Sequence, residues 1–137
     1  MDLDADRAAW PGADAALDEF IGFDRQVKDV VTSWQMRDAQ TVNDHSDPAY
    51  DASVMTRLNE LHSDIAGWLP HQATAFARLD GYRRRLERAM SAVATGDQRF
   101  IASPRVDSYH SVWFELHEEL ILLAGRTRSD EVAAGRA

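Results

Sequence analysis

His110 and His117 are the residues best placed by type and spacing to do chemistry in this 137-residue chain. They lie with Trp113 in a stretch where Tyr109, Val112, Trp113, Leu116, Leu120, Leu123 and Ala124 cover an apolar arc of roughly 200°, at about 100° per helical residue. Both histidines fall inside that arc and are expected to point into the protein, while Ser111, Glu115, Glu118 and Glu119 take the narrow polar side. An imidazole so placed can be a neutral core group bonded to its neighbours, a contact for a bound molecule, or a metal ligand. Seven residues separate the two, which is two turns or about 10.5 Å of axis, and the i, i+4 spacing of a helical zinc pair is missing. A bonded core histidine is therefore the first expectation, a ligand contact the second and a metal site the third.

Polar residues sit near apolar stripes elsewhere too. His62 and Asp51 lie toward the edge of one stripe, and Asp24 and Gln35 flank another. A buried carboxylate without a partner is costly, so Asp24 is expected at a helix margin reaching solvent. Trp34, Trp68 and Trp113 each accompany such a polar group, which is the make-up of an amphipathic pocket and equally of a well-filled core. The Asn43-Asp44-His45-Ser46-Asp47 loop is dense in side chains that bond local backbone, so its default role is to turn the chain and cap a helix; covering one end of a pocket is the alternative. The candidate ligand-binding set is Trp34, Gln35, Arg37, His45, Asp51, His62, Trp68, Tyr109, His110, Trp113 and His117. Arg83, Arg84, Arg85 and Arg88 are the main basic cluster; three consecutive residues fan over about 200° of a helix, so a solvated, ion-paired face is expected. A Gly-rich phosphate loop, a nucleophile elbow and carboxylates paired at an acid–base spacing are all missing. No catalytic residue, metal or cofactor is assigned.

The elements that must position these residues are helical, because apolar spacing near 3.6 dominates and no stretch alternates long enough to read as a strand. After an acidic arm at residues 1–13, a first helix is expected from about Asp14 to Asp38, burying Phe20, Phe23, Val27, Val30, Val31 and Trp34. Asp47-Pro48 reads as an N-cap followed by proline at the first helical position. The helix it opens carries Val54, Met55, Leu58, Leu61, Ile65, Trp68 and Leu69 inward, and Pro70 either ends it or kinks it toward Leu79. Asp80-Gly81 is the next break, Tyr82 to Thr95 the next helix, and Gly96-Asp97 its stop. Ser103-Pro104 repeats the cap-and-proline device and is expected to open the last helix, which runs to about Ala124. The whole is an all-α single-domain bundle of four to five helices over residues 14–125, with a flexible tail at 126–137.

Composition limits the function classes. Hydrophobic residues make up 45% and charged residues 28%, as in an ordinary folded domain. Cysteine is absent, which excludes a disulfide scaffold, a thiolate metal site and a cysteine nucleophile. A net charge of -8 argues against a nucleic-acid footprint. No apolar run approaches the roughly 20 residues that span a bilayer, and the N-terminus lacks a signal-peptide pattern, so a cytoplasmic location is expected.

Three segments carry a family likeness: Trp34-Gln35-Met36-Arg37, then Asn43 through Asp51, and then Val106-Asp-Ser-Tyr-His-Ser-Val-Trp-Phe-Glu-Leu-His-Glu-Glu-Leu120. Together they resemble the helical C-terminal domain that follows a MarR- or PadR-like winged helix in actinobacterial transcriptional regulators. The bias of the basic residues toward arginine, with Lys28 the single lysine, fits a GC-rich bacterial coding sequence. The resemblance spans about Asp18 to Arg128 and implies an effector-sensing or dimerising domain, with the sensed site around Trp34, His45, His110 and His117. Only an acidic arm precedes Asp18, so either a stand-alone relative or a piece of a longer regulator is expected. Helical metalloproteins of the DinB type are of similar length but place a His pair four apart on the last helix, where this chain has His110 and His117.

The expected function is non-catalytic small-molecule binding or regulation, with the ligand in a Trp/His-lined cavity of the bundle. The alternatives are a metal-assisted or general acid–base enzyme using His110, His117 and His62 with Asp51 or Glu115, and a structural dimer or accessory subunit. A small-molecule ligand and a homodimer are the partners left open; direct nucleic-acid and membrane contacts are not expected.

Overall fold

A computed structural model describes residues 2–126 and 128–133. Seven α-helices are described: α1 Leu3–Ala9, α2 Ala13–Gln35, α3 Pro48–Ala75, α4 Asp80–Ala94, α5 Arg99–Ala102, α6 Tyr109–Leu123 and α7 Arg128–Ala133, with a 3₁₀ turn at Ala77–Leu79. Among the described residues there is no strand beyond an isolated bridge between Met36 and Val42. The fold is all-α, as the 3.6-residue periodicity requires. No described helix is long and apolar enough to cross a membrane.

α2 and α3 pack on each other, α6 lies against both α2 and α4, and α5 joins α4 to α6. The predicted inward faces are the ones buried: Phe20, Val27, Val30, Val31 and Trp34 on α2, Val54, Leu58, Leu61, Ile65 and Leu69 on α3, and Val112, Trp113, Leu116 and Leu120 on α6. Asp47 caps α3 as expected, its carboxylate accepting from the backbone N–H groups of Ala49 and Tyr50 at 3.1 and 3.2 Å. Pro70 is accommodated inside α3, which continues to Ala75.

Several boundaries differ from the sequence expectations, each for a local reason. Asp80-Gly81 is the first turn of α4 rather than a break, because Asp80 there receives Arg83 one turn along at 2.6 Å. Ser103-Pro104 opens a turn, not α6: the Ser103 hydroxyl accepts from the Arg105 N–H at 3.2 Å, and Ser108 takes over as the α6 cap, accepting from Ser111 N–H at 3.2 Å. The acidic arm is largely helix α1, capped by Asp2. Trp10 behind it is buried and stacked on Phe76 with ring centroids 5.3 Å apart. Beyond α6, Arg126 pairs with Asp14, with Asp18 at 3.6 Å and with the buried Glu131 of α7 at 3.3 Å. The remainder of the expected tail, residue 127 and residues 134–137, lies outside the described residues.

Candidate functional site

The centre of the bundle is packed. Trp113 stacks on Phe20 with centroids 4.3 Å apart and planes 15° apart, and the buried His117 ring sits 4.9 Å from Phe20. The Trp113 indole N–H donates to Asp24 at 3.0 Å, and the second Asp24 oxygen meets Lys28 at 2.9 Å. Asp24 is thus 3% exposed, against the expectation of a solvated margin. The reason is that Trp113 supplies from across the bundle the donor a buried carboxylate needs. Trp68, half-buried, packs its ring on Phe20 and Phe23 and donates its N–H to Glu19 at 2.7 Å. Trp113 and His117 therefore pack in the core, whereas Trp68 also lines a surface cleft of about 410 Å³ with Glu19, His71 and Gln72.

His62 is likewise spoken for. Its Nδ1 lies 3.0 Å from the hydroxyl of the buried Tyr109, ring edge to ring face. Burial holds His62 below its ordinary pKa, an effect the nearby Glu87 charge partly offsets, and burial pushes the Tyr109 phenol well above its usual range. Asp51 is eleven residues away on the same helix, about 16 Å of axis, and cannot serve His62. Arg37 bonds Asp47 at 3.2 Å with its guanidinium 4.5 Å above the Tyr50 ring, closing the connection between α2 and α3.

The polar candidates that face open space lie on the rim. A cleft of about 360 Å³ is lined by Trp34, Gln35 and His45 together with Gln98, Arg99, Ala102 and Ser103 of the α5 region. Its wall is the loop between α2 and α3, held by Asn43. This buried side chain donates to the Trp34 carbonyl and to Asp51 Oδ1, both at 2.9 Å, and accepts the His45 N–H at 3.1 Å. The His45 ring packs on Trp34 with centroids 4.4 Å apart, and its Nδ1 lies 3.0 Å from the second oxygen of buried Asp51. His45 adopts φ 60°, the left-handed region that non-glycine residues rarely enter.

On the other side of Ala102, a cleft of about 560 Å³ runs over the first half of α6. Ala102, Pro104, Val106 and the half-exposed Phe114 make its apolar surface, and Arg105, His110 and Ser111 its polar points. His110 is partly buried and its ring has no hydrogen-bond partner among the described residues. Burial holds it below its ordinary pKa, with attraction to Asp24 partly offsetting. Asp107 and Glu115, also on this cleft, are both bridged by Arg85 from α4 at 2.6 and 2.5 Å, one guanidinium offsetting one of the two carboxylate charges. Of the other arginines of that cluster, Arg83 pairs with Asp80 and Glu87, and Arg84 with Asp80 at 3.8 Å.

Of the expected site residues, the structure brings together Trp34, Gln35, His45 and Asp51 at one rim cleft and leaves His110 at the other. Asn43, Gln98, Arg99, Arg105 and Phe114 were not among them. Asn43 was legible as an oddly polar loop residue and Phe114 lies on the periodic α6, whereas Gln98, Arg99 and Arg105 come from a segment whose path no periodicity describes. Among the described residues no group of three or more His, Cys, Asp or Glu side chains is placed to hold a metal ion. Compared with protein-family profiles, with curated proteins and with solved structures, the chain has no match.

Proposed function

We propose that this domain binds a small amphipathic molecule carrying a carboxylate or similar acceptor group in the cleft over the first half of α6, and that binding at this cleft is regulatory. The observation that carries the reading is His110: a partly buried imidazole without a protein partner, facing a cleft of about 560 Å³. A volume in this range suits a small organic ligand, and an apolar surface with a few convergent polar points is the usual make-up of such sites. Arg105, whose guanidinium makes no ion pair among the described residues, supplies a donor for an acidic group at the same cleft. Phe114 offers an apolar ring at the rim, and Arg85 offsets one of the two carboxylate charges of Asp107 and Glu115, with Arg105 at the same cleft to balance the other.

The test is a fragment screen of small aryl carboxylates followed by amide and side-chain NMR. Binders are expected to shift His110, Ser111 and Phe114 resonances, and His110→Ala should weaken them at least about tenfold, the loss of one good polar contact. Phe114→Ser should weaken them too while leaving stability within about 0.5 kcal/mol, as for other exposed positions. Shifts confined to other surfaces, or affinities unchanged in His110→Ala, would overturn the reading.

A further inference from the structure

The rim cleft beside Trp34 holds a second arrangement, with different chemistry. Asn43 Nδ2 has two hydrogens, and both are used, on the Trp34 carbonyl and on Asp51 Oδ1. Asn43 Nδ2 also lies 3.4 Å from His45 Nδ1, but its hydrogens go to the two closer acceptors, so the 3.0 Å contact with Asp51 Oδ2 is best met by a His45 Nδ1 that carries its proton. That fixes the tautomer: in the neutral ring, Nε2 is the atom with the free lone pair, and no described side chain or backbone group bonds it. Asp51 is buried and bonded on both oxygens, so it is a fixed acceptor that orients the His45 ring through Nδ1. The left-handed backbone at His45, unusual for a residue with a side chain, holds the ring in this place.

We propose that His45 and Asp51 form a general-base pair that hydrolyses a small ester bound in the Trp34 cleft. His45 Nε2 takes a proton from a water molecule as the water oxygen bonds to the ester carbonyl carbon. Gln35 and Gln98 line the same cleft as donors for the resulting oxyanion, with Arg99, whose Nε and Nη2 are held by Asp97 at 3.0 and 2.8 Å, leaving Nη1. The C–O bond to the alcohol then breaks, the imidazolium returns its proton to the departing alkoxide, and the net change is ester plus water to acid plus alcohol. His45 is the catalytic residue of this scheme; Asp51 and Asn43 are positioning residues that act through its ring.

The experiment uses the full chain with p-nitrophenyl acetate as the probe. Release of nitrophenolate is expected about 100-fold faster than with equimolar free imidazole, a gain in the ordinary range for a positioned base. The rate should fall in heavy water, since the O–H proton moves in the slow step. His45→Gly, which suits the left-handed backbone and so retains the fold, should lose the activity and regain part of it on addition of free imidazole. Asp51→Asn should lose at least about tenfold. Should that variant fail to fold, ¹⁵N NMR of the wild-type ring decides the same point: a neutral His45 protonated on Nδ1 is required. A rate no greater than free imidazole, a rate unchanged in heavy water, an active His45→Gly, or a ring protonated on Nε2 would each overturn the proposal.

Discussion

The bundle centre and the rim are built from the same residue types and use them oppositely. In the centre, Trp113, Asp24 and His117 pack on Phe20, and the indole N–H meets the carboxylate across two helices. On the rim, Trp34, Asp51 and His45 repeat the trio, but the histidine stands between its carboxylate and an open cleft. A buried polar group such as Asp24, met on both oxygens inside the protein, specifies packing; one met on a single side is left able to meet a ligand. The difference lies in what stands opposite. α6 faces two long helices along its inward side, whereas the rim faces the short α5 and its irregular connection to α6, which cannot fill the space a helix would.

The contrast can be broken most severely at its packed end. Trp113→Ala removes the stacked ring and leaves Asp24 buried without its donor, and should cost about 3–5 kcal/mol in urea unfolding. Trp113→Phe keeps a ring on Phe20 and isolates the lost hydrogen bond, at about 1–3 kcal/mol. If Trp113→Phe costs nothing, the Trp113–Asp24 bond does not specify the core. At the rim, Asp51→Ala takes the acceptor from both Asn43 and His45 but opens no large cavity, so a loss of about 1–3 kcal/mol is expected. Equal losses at Trp113→Ala and Asp51→Ala would erase the distinction between a packed trio and a half-open one.

A weaker effect sharpens the comparison by pH. His62 and His110 are both held below the ordinary value of 6.5 by burial, so the unfolded chain binds protons more tightly than the folded one. Their contribution to stability is full above that value and declines as the pH falls through it toward the folded pKa values. Urea midpoints measured between about pH 7.5 and 5.5 should therefore drop on acidification, and the drop should be shallower in His62→Gln. A midpoint that rises on acidification would mean these rings gain, rather than lose, stabilisation when charged.

Much of the architecture was legible from residue spacing. The faces of α2, α3 and α6, the Asp47-Pro48 start of α3 and the stop at Gly96, where φ is +99°, all follow from local periodicity and local backbone chemistry. The start of α6 was misplaced because Ser103-Pro104 and Ser108 are both competent openings, and only the packing of Tyr109 and Val112 into the core selects the second. The candidate site was legible in its residue types and not in its location. Wheel geometry placed His110, His117 and Trp113 on one face, but whether that face meets a solid neighbour or a gap depends on helices far away in sequence.

The sequence by itself determined an all-α chain, the inward face of each long helix and the polar residues that would need partners, because these depend on interactions within a few residues. Only the tertiary structure decided that Asp24 meets Trp113, that Asp51 serves His45 instead of His62, and that His110 looks onto a cleft while His117 is enclosed. Partner choice is a property of which helices cross and how closely, and side chains such as Trp113 and Asp24, 89 residues apart, are matched only when the whole core has packed.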